Sequence, residues 1–277
     1  MQGSRKLTYG KDDGKREPET IPHSIPKKEV EPVALTGQQP DLPMAYRKTD
    51  GQLPYELICV ISGGTNRERD FLKVLIKNYR LLPLRVLFIS QKGQGLHPFQ
   101  MQEKWEEIRS SHIVETNGTS FILDAVDKVF LLTDVDEFYN QLANILTHKS
   151  DDDSGEWIIS NPCFEVWLYY CHLNSPETDL ASLKSFTAES RSQEMKRLGH
   201  TLIPGGLNSI LAFENMDTGI ANASNHFGLD ENGIPVLFAT QMHHFAKYLV
   251  DKLNENAGAY DKYIQNKRKE LAKLRKM

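Results

Sequence analysis

Four short runs in this chain, Glu56–Ile61, Leu84–Ile89, Val129–Thr133 and Trp157–Ser160, are almost continuously apolar. A strand with one wet face alternates apolar and polar residues, whereas a strand covered on both faces does not. Between the runs lie segments with helical spacing. Arg67–Tyr79 carries Phe71, Val74, Leu75 and Asn78 on one face, and Phe99–Ile108 and Phe138–Leu146 follow the same period. Strands alternating with helices predict an α/β fold: a parallel sheet of about four strands with flanking helices and right-handed crossovers. Functional groups in such a sheet collect at the carboxyl ends of the strands.

The pattern changes on either side of this region. Residues 1–54 hold seven of the 13 prolines and carry charges of both signs without a sustained period. They read as an extended or disordered arm, either a tail or a docking arm for a partner. Residues 55–175 form the α/β domain. After Pro162, which suits a first helical position, Phe164–His172, Leu180–Leu198, Leu207–Phe227 and Val236–Leu253 all read as helices. Residues 176–277 are thus a mostly helical C-terminal half packed on the sheet. Its last turns are lysine-rich, with Leu271 and Leu274 on one face.

A formal net charge of −4 excludes a global basic field, though not a local basic groove. The three cysteines, Cys59, Cys163 and Cys171, sit among apolar neighbours without a CxxC pair. With no apolar leader and no run of membrane-spanning length, they imply reduced thiols and a cytoplasmic setting without membrane attachment.

The third strand ends in Asp134-Val135-Asp136-Glu137. In an extended segment Asp134 and Asp136 point the same way, and neighbouring carboxylates repel unless a cation or proton separates them. Mg²⁺ or Mn²⁺ suits such a pair. The alternative is a strand followed by an acidic helix N-terminus. The first strand delivers Ser62-Gly63-Gly64-Thr65-Asn66 and then Glu68; the fourth delivers Ser160-Asn161-Pro162 and then Glu165. A parallel sheet would bring Glu68, Asp134, Asp136 and Glu165 to one rim.

Other candidates carry two readings each. Asn161 caps the next helix or contacts substrate. Lys73, Lys77 and Arg80 share a helix face that is solvated or lines a phosphate track. Gly63-Gly64 is a plain turn or a phosphate cradle, and no GK[ST] follows it. His243 and His244 are adjacent, a poor spacing for one metal on a helix. Cys163 reads as a small buried hydrophobe.

Three blocks carry a family resemblance: Gly64-Thr65-Asn66-Arg67-Glu68-Arg69-Asp70-Phe71-Leu72, Asp134-Val135-Asp136-Glu137, and Ser160-Asn161-Pro162-Cys163-Phe164-Glu165-Val166-Trp167-Leu168. Over roughly residues 56–250 the chain resembles the RloB-like proteins, which belong with Toprim-type nuclease domains. The resemblance implies a Toprim-like sheet and a metal-dependent nuclease of prokaryotic phage defence, cleaving DNA or RNA, tRNA included, beside an AAA- or ABC-type ATPase encoded nearby. Asp134, Asp136 and Glu165 would hold Mg²⁺ or Mn²⁺, and Glu68 would position or deprotonate water. The family's first motif carries a glutamate where Gly63 stands. That departure implies the alternative, a non-catalytic Toprim-like module that binds an ATPase, a nucleotide or nucleic acid.

Overall fold

The computed structural model describes residues 56–77, 84–93, 95–149, 155–255 and 257. The expected N-terminal arm, Arg80 and the lysine-rich terminal helix lie outside these residues. Four parallel strands, β1 (Glu56–Ser62), β2 (Leu84–Ile89), β5 (Lys128–Asp134) and β6 (Gly155–Ser160), form one sheet in the order β2-β1-β5-β6. The predicted parallel sheet, its flanking helices and the helical C-terminal part are therefore present.

The continuous apolar runs are explained by two separate cores. Ile58, Val60, Phe130, Leu132 and Ile158 face one core, while Leu57, Cys59, Ile61, Val129, Leu131, Trp157 and Ile159 face the other. The second core is closed by α3 (Pro98–Ser111) and α4 (Tyr139–Thr147), through Met101, Trp105, Ile108, Leu142 and Ile145. The first is closed by α1 (Arg67–Phe71), α2 (Lys73–Lys77), α5 (Glu165–Tyr170) and the helices that follow. Trp167, Tyr169 and Tyr170 of α5 are fully buried there. Burying one such side chain contributes about 1.5–3 kcal/mol, so α5 anchors the helical part to the sheet.

That part comprises α6 (Pro176–Asp179), a 3₁₀ turn (Ala181–Ser185), α7 (Ala188–Leu202), α8 (Ser209–Glu214), α9 (Met216–Asn225) and α10 (residues 242–255). Several long predicted helices are broken. Arg67–Tyr79 divides at Leu72, which leaves helical geometry at φ −86, ψ 3 between two five-residue helices. Leu180–Leu198 becomes a 3₁₀ turn and α7 around an extended Phe186, and Leu207–Phe227 divides at Asn215. A hairpin of β3 (Ile113–Thr116) and β4 (Thr119–Ile122) has no counterpart in the periodicity. Its two-residue turn, Asn117-Gly118, has positive φ at both positions, a conformation these residue types favour.

The two edges of the sheet differ. The β6 edge is covered by residues 238–241. Phe238 N–H donates to Asn161 O at 2.8 Å, Asn161 N–H to Ala239 O at 3.0 Å and Gln241 N–H to Ile159 O at 2.9 Å. The β2 edge has no strand partner among the described residues.

Where α9 crosses α5, a Cβ on Gly219 would lie 2.7 Å from the Trp167 ring and 2.8 Å from Cys171 Sγ. Both neighbours are buried and rigid. Gly219→Val is expected to destabilise the fold by about 1–3 kcal/mol through overpacking, read as a lower midpoint in urea denaturation at unchanged slope.

Candidate functional site

The carboxyl ends of β1, β5 and β6 meet at one rim. Gly63 N–H donates to Leu132 O at 2.8 Å, and Val135 N–H to Ser160 O at 2.9 Å. Asp134 is paired in register with Ser160. Its half-buried carboxylate accepts the Phe164 N–H at 2.8 Å, which ties the end of β5 to the entry of α5. Asp136 follows with φ +29, outside the usual L-residue range. Its N–H donates to Pro162 O at 3.1 Å, and the bond after Asn161 is cis. Asp136 Oδ1 is buried and has no hydrogen-bond partner among the described residues.

Glu68 lies in the first turn of α1 and is buried. Its carboxylate folds back over Gly64: a Cβ there would lie 2.1 Å from both carboxylate oxygens. Gly64 is therefore required for Glu68 to occupy the rim. At Gly63, where the resemblance places a glutamate, the nearest atoms to a Cβ would be Leu96 O at 3.1 Å, Leu132 O at 3.6 Å and Thr133 Oγ1 at 3.6 Å. The acid that reaches this loop is thus Glu68, over the neighbouring glycine.

Glu165 is buried at the start of α5. Arg67 Nε lies 3.0 Å and Lys196 Nζ 3.7 Å from its Oε1. Arg67 also donates to Leu207 O at 2.8 Å, so the helical part fixes its direction. Burial of Lys196 pulls its pKa down, but Glu165, Cys163, Asp134 and Asp136 outweigh this and raise it. Four carboxylates therefore face two cations, and the acids respond. Burial pushes Glu68 up to about 7, offset by its own backbone hydrogen bond and reinforced by Glu165. Asp136 is pushed up to about 7 by burial, with Lys196 opposing and Glu165 and Glu137 adding. Burial, then Glu68, Asp136 and Glu165, hold Asp134 well above the usual carboxylate range.

The four acids read from the sequence as one rim are thus electrostatically in contact. Asn161 does something else: its Nδ2 donates to Pro235 O at 2.7 Å and anchors the 235–241 segment. The helix cap expected of it is absent, since the N-cap position of α5 is Phe164. Lys73 and Lys77 lie on α2, with Lys73 paired to Asp70 at 3.3 Å. The cations that reach the acids are Arg67 and Lys196 instead. Arg67 stands beside Glu68 in a quoted motif; nothing in the spacing of α7 marks Lys196. Cys163 is buried, which raises its thiol pKa well above the ordinary value.

Among the described residues no three His, Cys, Asp or Glu side chains stand as a ready-made metal cage. Mg²⁺ rarely uses one: it takes one or two carboxylates, keeps several waters and adds substrate phosphate oxygens. The unpartnered Asp136 Oδ1, close enough to Asp134 to raise its pKa, fits such an ion.

Among models of known protein families, the one described as RloB-like protein matches residues 58–249. No curated protein and no solved structure matches the chain.

The raised Glu68 pKa makes a signed prediction for the metal-free protein. Between the ordinary value of 4.5 and about 7 the folded state keeps a proton that the unfolded chain has lost. The associated stability is complete below the lower value and disappears as pH rises through the upper one. Glu68→Gln cannot ionise. Its stability relative to wild type should grow by on the order of 2–3 kcal/mol between about pH 4 and pH 8, measured by chemical denaturation across that range.

Proposed function

Because the chain belongs to the RloB-like family, we propose that it is a metal-dependent phosphodiesterase that cuts DNA or RNA at this rim, within a prokaryotic anti-phage system. An ATPase encoded nearby would be its partner. The observation that carries the proposal is Asp136 Oδ1, buried without a partner among the described residues and next to Asp134, whose carboxylate burial and the neighbouring acids hold well above the usual range. Isolated buried carboxylates are costly, and a divalent cation relieves that cost.

Asp134 and Asp136 are the side chains that would hold Mg²⁺ or Mn²⁺. Such an ion, when bound, supplies Lewis-acid charge for a phosphoryl oxygen and lowers the pKa of water. The Phe164 N–H fixes the Asp134 carboxylate against rotation. Glu68, near neutral pKa, is matched to accepting a proton from water at physiological pH. Glu165 orients Arg67 and Lys196 through Oε1, and these two cations neutralise charge that develops on the phosphate. In this arrangement Glu165 positions cations, whereas its sequence context suggested a metal ligand.

One observation favours a second reading, a binding module without turnover. A side chain at position 63 would meet two backbone carbonyls and a hydroxyl, and glycine there leaves no first acid.

One set of experiments separates the two. Cleavage of single- and double-stranded DNA, RNA and tRNA is expected with Mg²⁺ or Mn²⁺, and a fall of at least about 100-fold in Asp134→Asn/Asp136→Asn. Equal cleavage by wild type and the double variant would sink the nuclease reading. Thermal denaturation supplies a readout independent of turnover. A hundredfold excess of Mg²⁺ over its Kd stabilises by about 2.7 kcal/mol, and the double variant should lose that shift. A metal shift without cleavage of any of these substrates would favour the binding module.

A further inference from the structure

A groove of about 910 Å³ runs along the outer edge of β2. Arg85 through Ser90 line it at consecutive positions. Side chains on a strand alternate between faces, so six successive lining residues mean that the groove follows the hydrogen-bonding edge. Its opposite wall is the β3–β4 hairpin, from Glu115 to Phe121. At one end it comes to the loop between β1 and α1, just before Glu68. Thr65 and Asn66 line it, and Ser90 Oγ donates to the carbonyl of Gly64 at 2.9 Å, the glycine beneath the Glu68 carboxylate.

The charge of this groove is opposite to that of the rim. Arg69, Arg85 and Lys92 line it, against Glu115 as the one carboxylate of the lining. The Arg85 guanidinium lies 4.4 Å from the Phe121 ring centroid, which holds it at the wall. Polar side chains (Asn66, Ser90, Asn117) and the main-chain edge of β2 add donors and acceptors. At strand spacing the six residues extend roughly 20 Å.

We propose that this groove holds the backbone of single-stranded nucleic acid and leads it to the acidic rim. Arg69 and Lys92 provide the phosphate contacts. The line of donors and acceptors suits base edges that are not already paired, as in a loop or a single strand. The proposal deepens the nuclease reading and rests on it for the purpose of the track.

The test uses the full chain in EDTA, so that binding is measured without turnover. Fluorescence anisotropy is followed with labelled single-stranded RNA and DNA oligonucleotides, and with the duplex of the same sequence. Single strands should bind more tightly than the duplex. Arg69→Glu/Lys92→Glu should weaken them at least 10-fold and flatten the salt dependence, while Lys247→Glu, on α10 and outside the groove, should not. Circular dichroism checks that each variant is folded. Equal binding by wild type and the double variant, preference for the duplex, or no binding of any oligonucleotide overturns the groove assignment. The last result leaves the β2 edge to a peptide strand. Cleavage that survives in Arg69→Glu/Lys92→Glu with unchanged KM removes the groove but not the nuclease. Groove-dependent binding without cleavage at any divalent metal keeps the groove and removes the nuclease.

Discussion

The geometry of the rim depends on one imbalance of charge. Glu68, Asp134, Asp136 and Glu165 are brought together with little access to water, and among the described residues Arg67 and Lys196 answer them. At an effective dielectric near that of a protein surface, unit charges 4 Å apart interact by about 4 kcal/mol. Leaving all four acids ionised would therefore be a substantial fraction of a domain's net stability. The folded chain keeps protons on some of them toward neutral pH. A core of ordinary apolar residues would remove the imbalance.

The remainder of the structure serves to hold that imbalance. Two apolar cores clamp the sheet from both sides, so the strand ends cannot shift to separate the acids. Asp134 is locked by the Phe164 amide, and Asp136 by its own backbone bond to Pro162 O. Gly64 allows Glu68 to lie over the loop. The helical part also reaches the site, because Lys196 comes from α7 and Leu207 O directs Arg67. It is thus a wall of the site as well as a cover for the core.

Much of this was readable in the chain. The unbroken apolar runs announced a sheet buried on both faces, since only such a sheet tolerates them. Asp134 and Asp136 are two apart after a strand, and Glu68 and Glu165 follow other strands, so a parallel order alone places them together. Helix continuity was less readable. Arg67–Tyr79 has a helical period, yet the chain leaves helical geometry at Leu72, a break the period does not record. Asn117-Gly118 was a sufficient turn signal for the hairpin, but four-residue strands are too short to show a period.

Spacing and polarity within short segments already dictate the parallel sheet, its covered faces and the acids at the strand ends. Which charges answer those acids depends on contacts between distant elements. Lys73 and Lys77 lie close to Glu68 in sequence, but Lys73 pairs with Asp70 and Lys77 is exposed. Lys196 lies 31 positions after Glu165 and meets it through the packing of α7 on α5. Asn161 likewise holds residue 235 instead of a helix end. Local period fixes the face of an element, but partners across elements depend on how helices pack. Packing is set by shape and volume, which no spacing of residue types records.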